Sequence, residues 1–108
     1  MNLTEKKCVP CEGGTPALAR ERVKDLLRET PEWGVDSEYK KIERVFTFKD
    51  FKEAMAFVNR MADIAEAEGH HPDIKINWNK VALSLSTHSI GGLSENDFIL
   101  AAKINAVV

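Results

Sequence analysis

The chain of 108 residues is short of cysteine, of net charge and of long apolar runs, and each shortage removes a class of function. Its formal charge of -2 gives no electrostatic case for nucleic acid or an anionic membrane surface. No stretch approaches the roughly 20 apolar residues of a membrane span. Met1 to Gly14 holds lysines but no apolar stretch of secretory type, so no signal peptide is expected. Repeats and low-complexity tracts are absent. The only two cysteines, Cys8 and Cys11, form a Cys-x-x-Cys without the second pair that a structural zinc site normally requires. Glu12-Gly13-Gly14 follows the motif where a thioredoxin-like redox site would open a helix. The expected reading is a surface arm with two ordinary thiols in a reducing cytoplasm. Gly91-Gly92 lacks the lysine and spacing of a nucleotide loop, and no Ser-His-Asp nucleophile pattern is visible.

What remains is an ordinary globule, 44% hydrophobic and long enough for one core. Residues 1–14 read as an N-terminal arm and 15–108 as a single domain. Thr15-Pro16 reads as a cap and first-turn proline opening a helix to about Glu29. Trp33 to Val35 reads as a short strand and Tyr39 to Thr47 as a second. From about Phe48 to Glu68, apolar residues Phe51, Ala54, Val58, Met61, Ala62 and Ala65 recur at helical spacing. Gly69 follows as a left-handed helix terminator. Ile74, Ile76 and Trp78, then Val81, Leu83 and Leu85, alternate with polar or small residues and predict a β-hairpin turning at Asn79-Lys80. Ser94 with Asp97 three residues on predicts a capped final helix with a stripe of Phe98, Ala101, Ala102 and Ile104. The order α-β-β-α-β-β-α, with short connections, predicts an α+β fold: a four-stranded antiparallel sheet with helices packed on one face. Its edge strands suggest a homo-oligomer.

The three histidines of the chain surround that hairpin. In the expected register Trp78 faces Val81, Ile76 faces Leu83 and Ile74 faces Leu85. His88 then falls opposite His71, within roughly 5 Å between Cα atoms, with His70 adjacent. Histidine gives and takes protons near neutrality, so three together point to proton transfer or to a metal. Glu66, four residues before His70 on the last helical turn, is placed to orient an imidazole. Asp97 is either a site residue or simply a carboxylate favoured by the helix N-terminus. Trp78, seven residues from His71 and so roughly 23 Å away along a strand, is read as core. Trp33 is either core or a ring contact.

The spacing Glu66, His70-His71-Pro72, Trp78, His88, Asp97, joined by Cys8 to Gly14, Trp33-Gly34 and Leu93-Ser94-Glu95, resembles the pterin-4a-carbinolamine dehydratases over nearly the whole chain. The resemblance implies dehydration of 4a-hydroxytetrahydrobiopterin to quinonoid dihydrobiopterin, in tetrahydrobiopterin recycling, without metal or organic cofactor. It also implies a homodimer or homotetramer. His70 and His88 are then the acid and base in exchangeable roles, with His71 binding substrate and assisting. Glu66, Asp97 and Trp33 would bind or orient substrate. The alternative is a non-catalytic binding protein of the same fold, a dimerisation cofactor or an assembly chaperone. A zinc or iron site built on the histidines and a carboxylate is a third reading.

Overall fold

The structure is a computed structural model and describes residues 3–9 and 16–108. Thr15 and Cys11, to which the expected cap and second thiol belong, lie outside the described residues. Three α-helices and four strands follow in the order α1 (Arg20–Leu27), β1 (Gly34–Val35), β2 (Ile42–Thr47), α2 (Phe51–Glu68), β3 (Asp73–Asn77), β4 (Lys80–Leu85) and α3 (Glu95–Asn105). The strands form one antiparallel sheet in the order β1-β2-β4-β3. The α+β architecture is therefore the one expected.

The sheet is covered on one side. Ile42 and Phe46 of β2 and Val81, Leu83 and Leu85 of β4 are buried, while Glu43, Val45 and Thr47 between them are exposed. That alternation is the signature of a sheet packed on one face. The helices supply the opposing surface, with Ala54, Phe57, Met61 and Ala65 of α2 and Phe98, Ala101 and Ile104 of α3 in the same core. Phe57, absent from the expected stripe, is fully buried and stacks at 4.7 Å from Phe46 and 5.0 Å from Phe48. Phe51, placed on that stripe, is instead exposed in the first turn. The helix begins at Asp50, whose carboxylate accepts the Glu53 N–H, so Phe51 precedes the covered length.

Several boundaries move for identifiable reasons. Helix α1 starts at Arg20, because residues 16–19 run as a non-helical strap: Leu18 N–H donates to Leu93 C=O, and a Cβ on Gly92 would come within 2.9 Å of Ala17 Cβ. Strand β2 starts at Ile42, because Asp36 caps a wider turn by accepting the N–H groups of Lys40 and Lys41. Helix α3 is buried almost all round instead of along one stripe. Residues 3–9, expected as a loose arm, lie along it, and Leu3 is part of the core.

The β3–β4 hairpin turns at Trp78-Asn79, one residue earlier than expected, so Ile76 faces Val81 and Ile74 faces Leu83. Lys80 is drawn into β4 because that strand is central and pairs it with Thr47 of β2. Asn79 is fixed from outside: its amide donates to Phe48 C=O and its own C=O accepts Phe48 N–H. Trp78 takes the strain, with a positive φ of 52° that is unusual for a bulky residue. It is 63% exposed, which corrects its reading as core. Ile74 and Ile76 keep the inward-facing parity of Leu83 and Val81, but the edge position of β3 leaves them partly exposed.

Candidate active site

Helix α2 ends where the site begins. Gly69 adopts the left-handed conformation (φ 66°), and His70 N–H still bonds back to Ala65 C=O. Pro72 follows and leads the chain into β3. On the facing side β4 ends at Leu85, and Thr87 pairs with Gly92 across a tight loop that includes the one-turn helix His88–Ile90. Gly91, again left-handed at φ 66°, closes that loop. Carrying the observed register outward sets Ser86, not His88, level with His71. His88 reaches the site from the loop instead of from a strand end.

The three histidines nevertheless meet. His70, His71 and His88 line one cavity of about 510 Å³, together with Ser86, Thr87 and Ser89 from the β4 side. Glu68, Gly69, Asn96, Cys8 and Val9 complete its walls. The cavity is open to solvent.

His70 is the most constrained of the three. Its Nε2 lies 2.6 Å from Oδ1 of Asp97, whose side chain is fully buried. The other carboxylate oxygen accepts Thr87 Oγ–H at 2.9 Å and Ser94 N–H at 2.9 Å. Thr87 Oγ also lies 2.7 Å from Ser94 Oγ. Since Thr87 gives its proton to Asp97, Ser94 gives its own to Thr87 and accepts the Asp97 N–H as the reciprocal cap of α3. The expected cap is thus present, and Asp97 serves both helix and histidine. Oδ2 is filled by neutral donors, so Oδ1 is left for an imidazole N–H. Nε2–H of His70 therefore points to Asp97, and Nδ1 is the nitrogen left for a substrate. Among the described residues no buried side-chain polar atom lacks a partner.

Glu66 does not reach His70. It is an exposed carboxylate 3.5 Å from Nε2 of His71, which is itself largely exposed. A surface pair of this kind contributes little. The neighbouring Glu68 is the carboxylate that is built in. Its side chain is 8% exposed, and it accepts Cys8 N–H at 2.8 Å and Lys103 Nζ at 2.9 Å. The Cys8 N–H and the Lys103 ammonium hold its carboxyl below the usual range. Burial, and then the Glu68 charge, push the Cys8 thiol up to about 12. Cys8 is therefore half-buried in the cavity wall, and the expected ordinary surface thiol is corrected on that point. Nothing in the sequence singles out Glu68 from its acidic neighbours; the contact that selects it spans 60 positions.

Trp33 is not brought to the cavity within one protomer. Its ring is buried against Phe46, and its indole N–H donates to Oδ1 of Asn105 at 2.8 Å. Asn105 ends α3, eight residues and about 12 Å along the axis from Asp97. Among the described residues no three or more His, Cys, Asp or Glu side chains are grouped to hold a metal ion.

Comparison with known proteins agrees with this fold. Residues 16–107 match the family model described as pterin 4 alpha carbinolamine dehydratase. A protein of Halorhodospira halophila, named provisionally as a pterin-4-alpha-carbinolamine dehydratase, is 47% identical over 107 residues, 99% of this chain and 98% of its own. One of Alkaliphilus metalliredigens with the same provisional name is 48% identical, over 96% of this chain and 94% of its own. Among solved structures, a transcriptional coactivator/pterin dehydratase from Brucella melitensis superposes with a TM-score of 0.80 at 35% identity, covering 84% of this chain and 97% of that one. A pterin dehydratase-like protein identified as a RuBisCO assembly factor in the alpha-carboxysome shares the fold, with a TM-score of 0.61 at 22% identity over 70% of this chain and 88% of that one. By the extent of the family match and the identity of its relatives, the chain belongs to the pterin-4-alpha-carbinolamine dehydratase family.

Proposed function

We propose that this protein dehydrates 4a-hydroxytetrahydrobiopterin to quinonoid dihydrobiopterin by histidine acid–base catalysis. The observation that carries the reading is the convergence of His70, His71 and His88 on one solvent-open cavity, with His70 oriented by a buried carboxylate. The reaction needs one proton delivered and one removed. An imidazolium protonates the hydroxyl on C4a, and the C4a–O bond breaks as the N5 electron pair moves in. A neutral imidazole takes the N5 proton, so water and the quinonoid product leave with no net change in the enzyme. His70 and His88 hold the two roles interchangeably, and His71 binds and assists. Asp97 is a positioning residue that sets the His70 tautomer. Glu66 bears only on His71, and Trp33 has no contact with substrate in a single protomer.

The test is turnover of freshly generated 4a-hydroxytetrahydrobiopterin followed by ultraviolet absorbance. His70→Ala and His88→Ala are each expected to lose about 10²–10⁴-fold in kcat, the usual contribution of one positioned proton-transfer group. His71→Ala is expected to lose less. Equal turnover by wild type and all three variants would overturn the reading.

We place a second copy of the chain on the outer side of β3, giving a homodimer or larger homo-oligomer. That edge carries the partly exposed Ile74 and Ile76, and an uncovered apolar edge strand is a ready pairing surface. Among the described residues no helix is long and apolar enough to cross a membrane. A cytoplasmic location suits the Cys8 thiol, which a reducing compartment preserves. A second reading, a binding protein of the same fold, draws on the open outer face of the sheet, where Val45 is 61% exposed. A partner that stays bound after loss of all three histidines would favour it.

A further inference from the structure

The segment before α1 contributes two residues, Cys8 and Val9, to the histidine cavity. It is held by side chains of the two helices that flank the site. Glu68, at the end of α2, accepts Cys8 N–H through one oxygen, while its other oxygen is held by Lys103 of α3. Asn96, in the first turn of α3, accepts Val9 N–H at 3.0 Å through Oδ1 and donates through Nδ2 to Val9 C=O at 2.5 Å. An amide that both donates to and accepts from one residue's backbone acts as a strand partner and fixes the orientation of that peptide. Upstream, Leu3 is buried in the core and Lys6 pairs with Glu95. Residues 3–9 are thus anchored along their length, and Cys8 and Val9 border the cavity.

We propose that Cys8 and Val9 form a fixed wall of the pterin cavity and that Glu68 and Asn96 are positioning residues that hold this wall against the bound ring. The pterin in this statement rests on the dehydratase reading above. The wall acts on binding alone. Cys8 N–H is taken by Glu68 and both backbone groups of Val9 by Asn96, and Cys8 turns its S–H toward Asn96 C=O at 3.5 Å. Burial and the Glu68 charge keep that thiol neutral at physiological pH, so it offers shape and no nucleophile. The protons move on the histidines, which line other parts of the same cavity. Loosening the wall therefore raises KM and leaves kcat in place.

Three full-length variants test this: Asn96→Ala, Glu68→Ala and Val9→Trp. Amide hydrogen exchange reads the clamp without any ligand. The Cys8 and Val9 amides should exchange slowly in wild type and in Val9→Trp, and quickly in the other two. KM for 4a-hydroxytetrahydrobiopterin should rise about five- to tenfold in all three, with kcat within about twofold, the pattern of lost ground-state binding. In Val9→Trp the cause is volume, since only an exposed side chain changes; that variant carries the test if loss of Glu68 unfolds the protein. Fast exchange of both amides in wild type would overturn the clamp. Slow exchange in wild type with KM unchanged in every variant, or a fall in kcat alone, would overturn the wall. A wild type that holds its segment but does not accelerate dehydration would overturn the dehydratase reading and the pterin named here, while leaving the clamp demonstrated.

Discussion

Asp97 shows how one side chain serves two ends. As the third residue of α3 it completes the helix cap with Ser94, and through its other oxygen it holds His70. Replacement by asparagine keeps the size but presents an N–H₂ on one side, so either His70, or Thr87 and Ser94 together, lose their acceptor. Asp97→Asn should reduce kcat about 10- to 100-fold, the scale for losing a group that orients a functional imidazole. Thr87→Val, which removes one donor from the same carboxylate, should give a smaller loss in the same direction. The check is kcat beside a thermal melt, and a drop in melting temperature with normal kcat would make Asp97 structural only. Of this arrangement the sequence shows the cap and the histidine cluster, because both are local in spacing. It does not show Thr87 between them, since a threonine before a histidine carries no signal of what it faces across a loop.

Helices and strands are legible where periodicity is clean, as in α2 and β4, and misplaced where a distant contact decides. The hairpin turn is set by Asn79 tied to Phe48, 31 positions away. The start of α1 is set by Leu18 bonding to Leu93, and the burial of α3 by a segment nearly 90 residues upstream. That segment's docking should depend on pH through Glu68. Its carboxyl is depressed below the ordinary 4.5 by the Cys8 N–H and Lys103, so its contribution to stability is complete above that value. It is lost as pH falls through the lower folded value. Glu68→Gln should therefore melt below wild type at pH 7, and the two should converge as pH falls below the ordinary carboxyl value and through the depressed one. A gap that stays constant across that range would show that the charge is not what holds the segment.

For the whole molecule, the sheet has one finished side and one unfinished edge. Wild type should run as a dimer or larger in light scattering. Ile76→Lys should shift it toward monomer with the fold intact by circular dichroism, since a lysine on an edge strand opposes pairing. A monomeric wild type would remove the interface, and an Ile76→Lys variant that stays oligomeric would place it elsewhere. The buried Trp33 is bonded to Asn105, at the opposite end of α3 from Asp97 and His70, so any part it takes in a neighbouring copy's chemistry would also end with that substitution.

The two tryptophans also divide the protein's light emission. Trp33 is 5% exposed and hydrogen-bonded, Trp78 is 63% exposed at the hairpin tip, and there are no others. The first is an optical reporter of the core, shielded from dissolved quenchers such as iodide. The second answers to whatever approaches the end of the sheet. A partner arriving there and a core coming apart would change different halves of the same spectrum, so docking and unfolding can be told apart in one cuvette without a label.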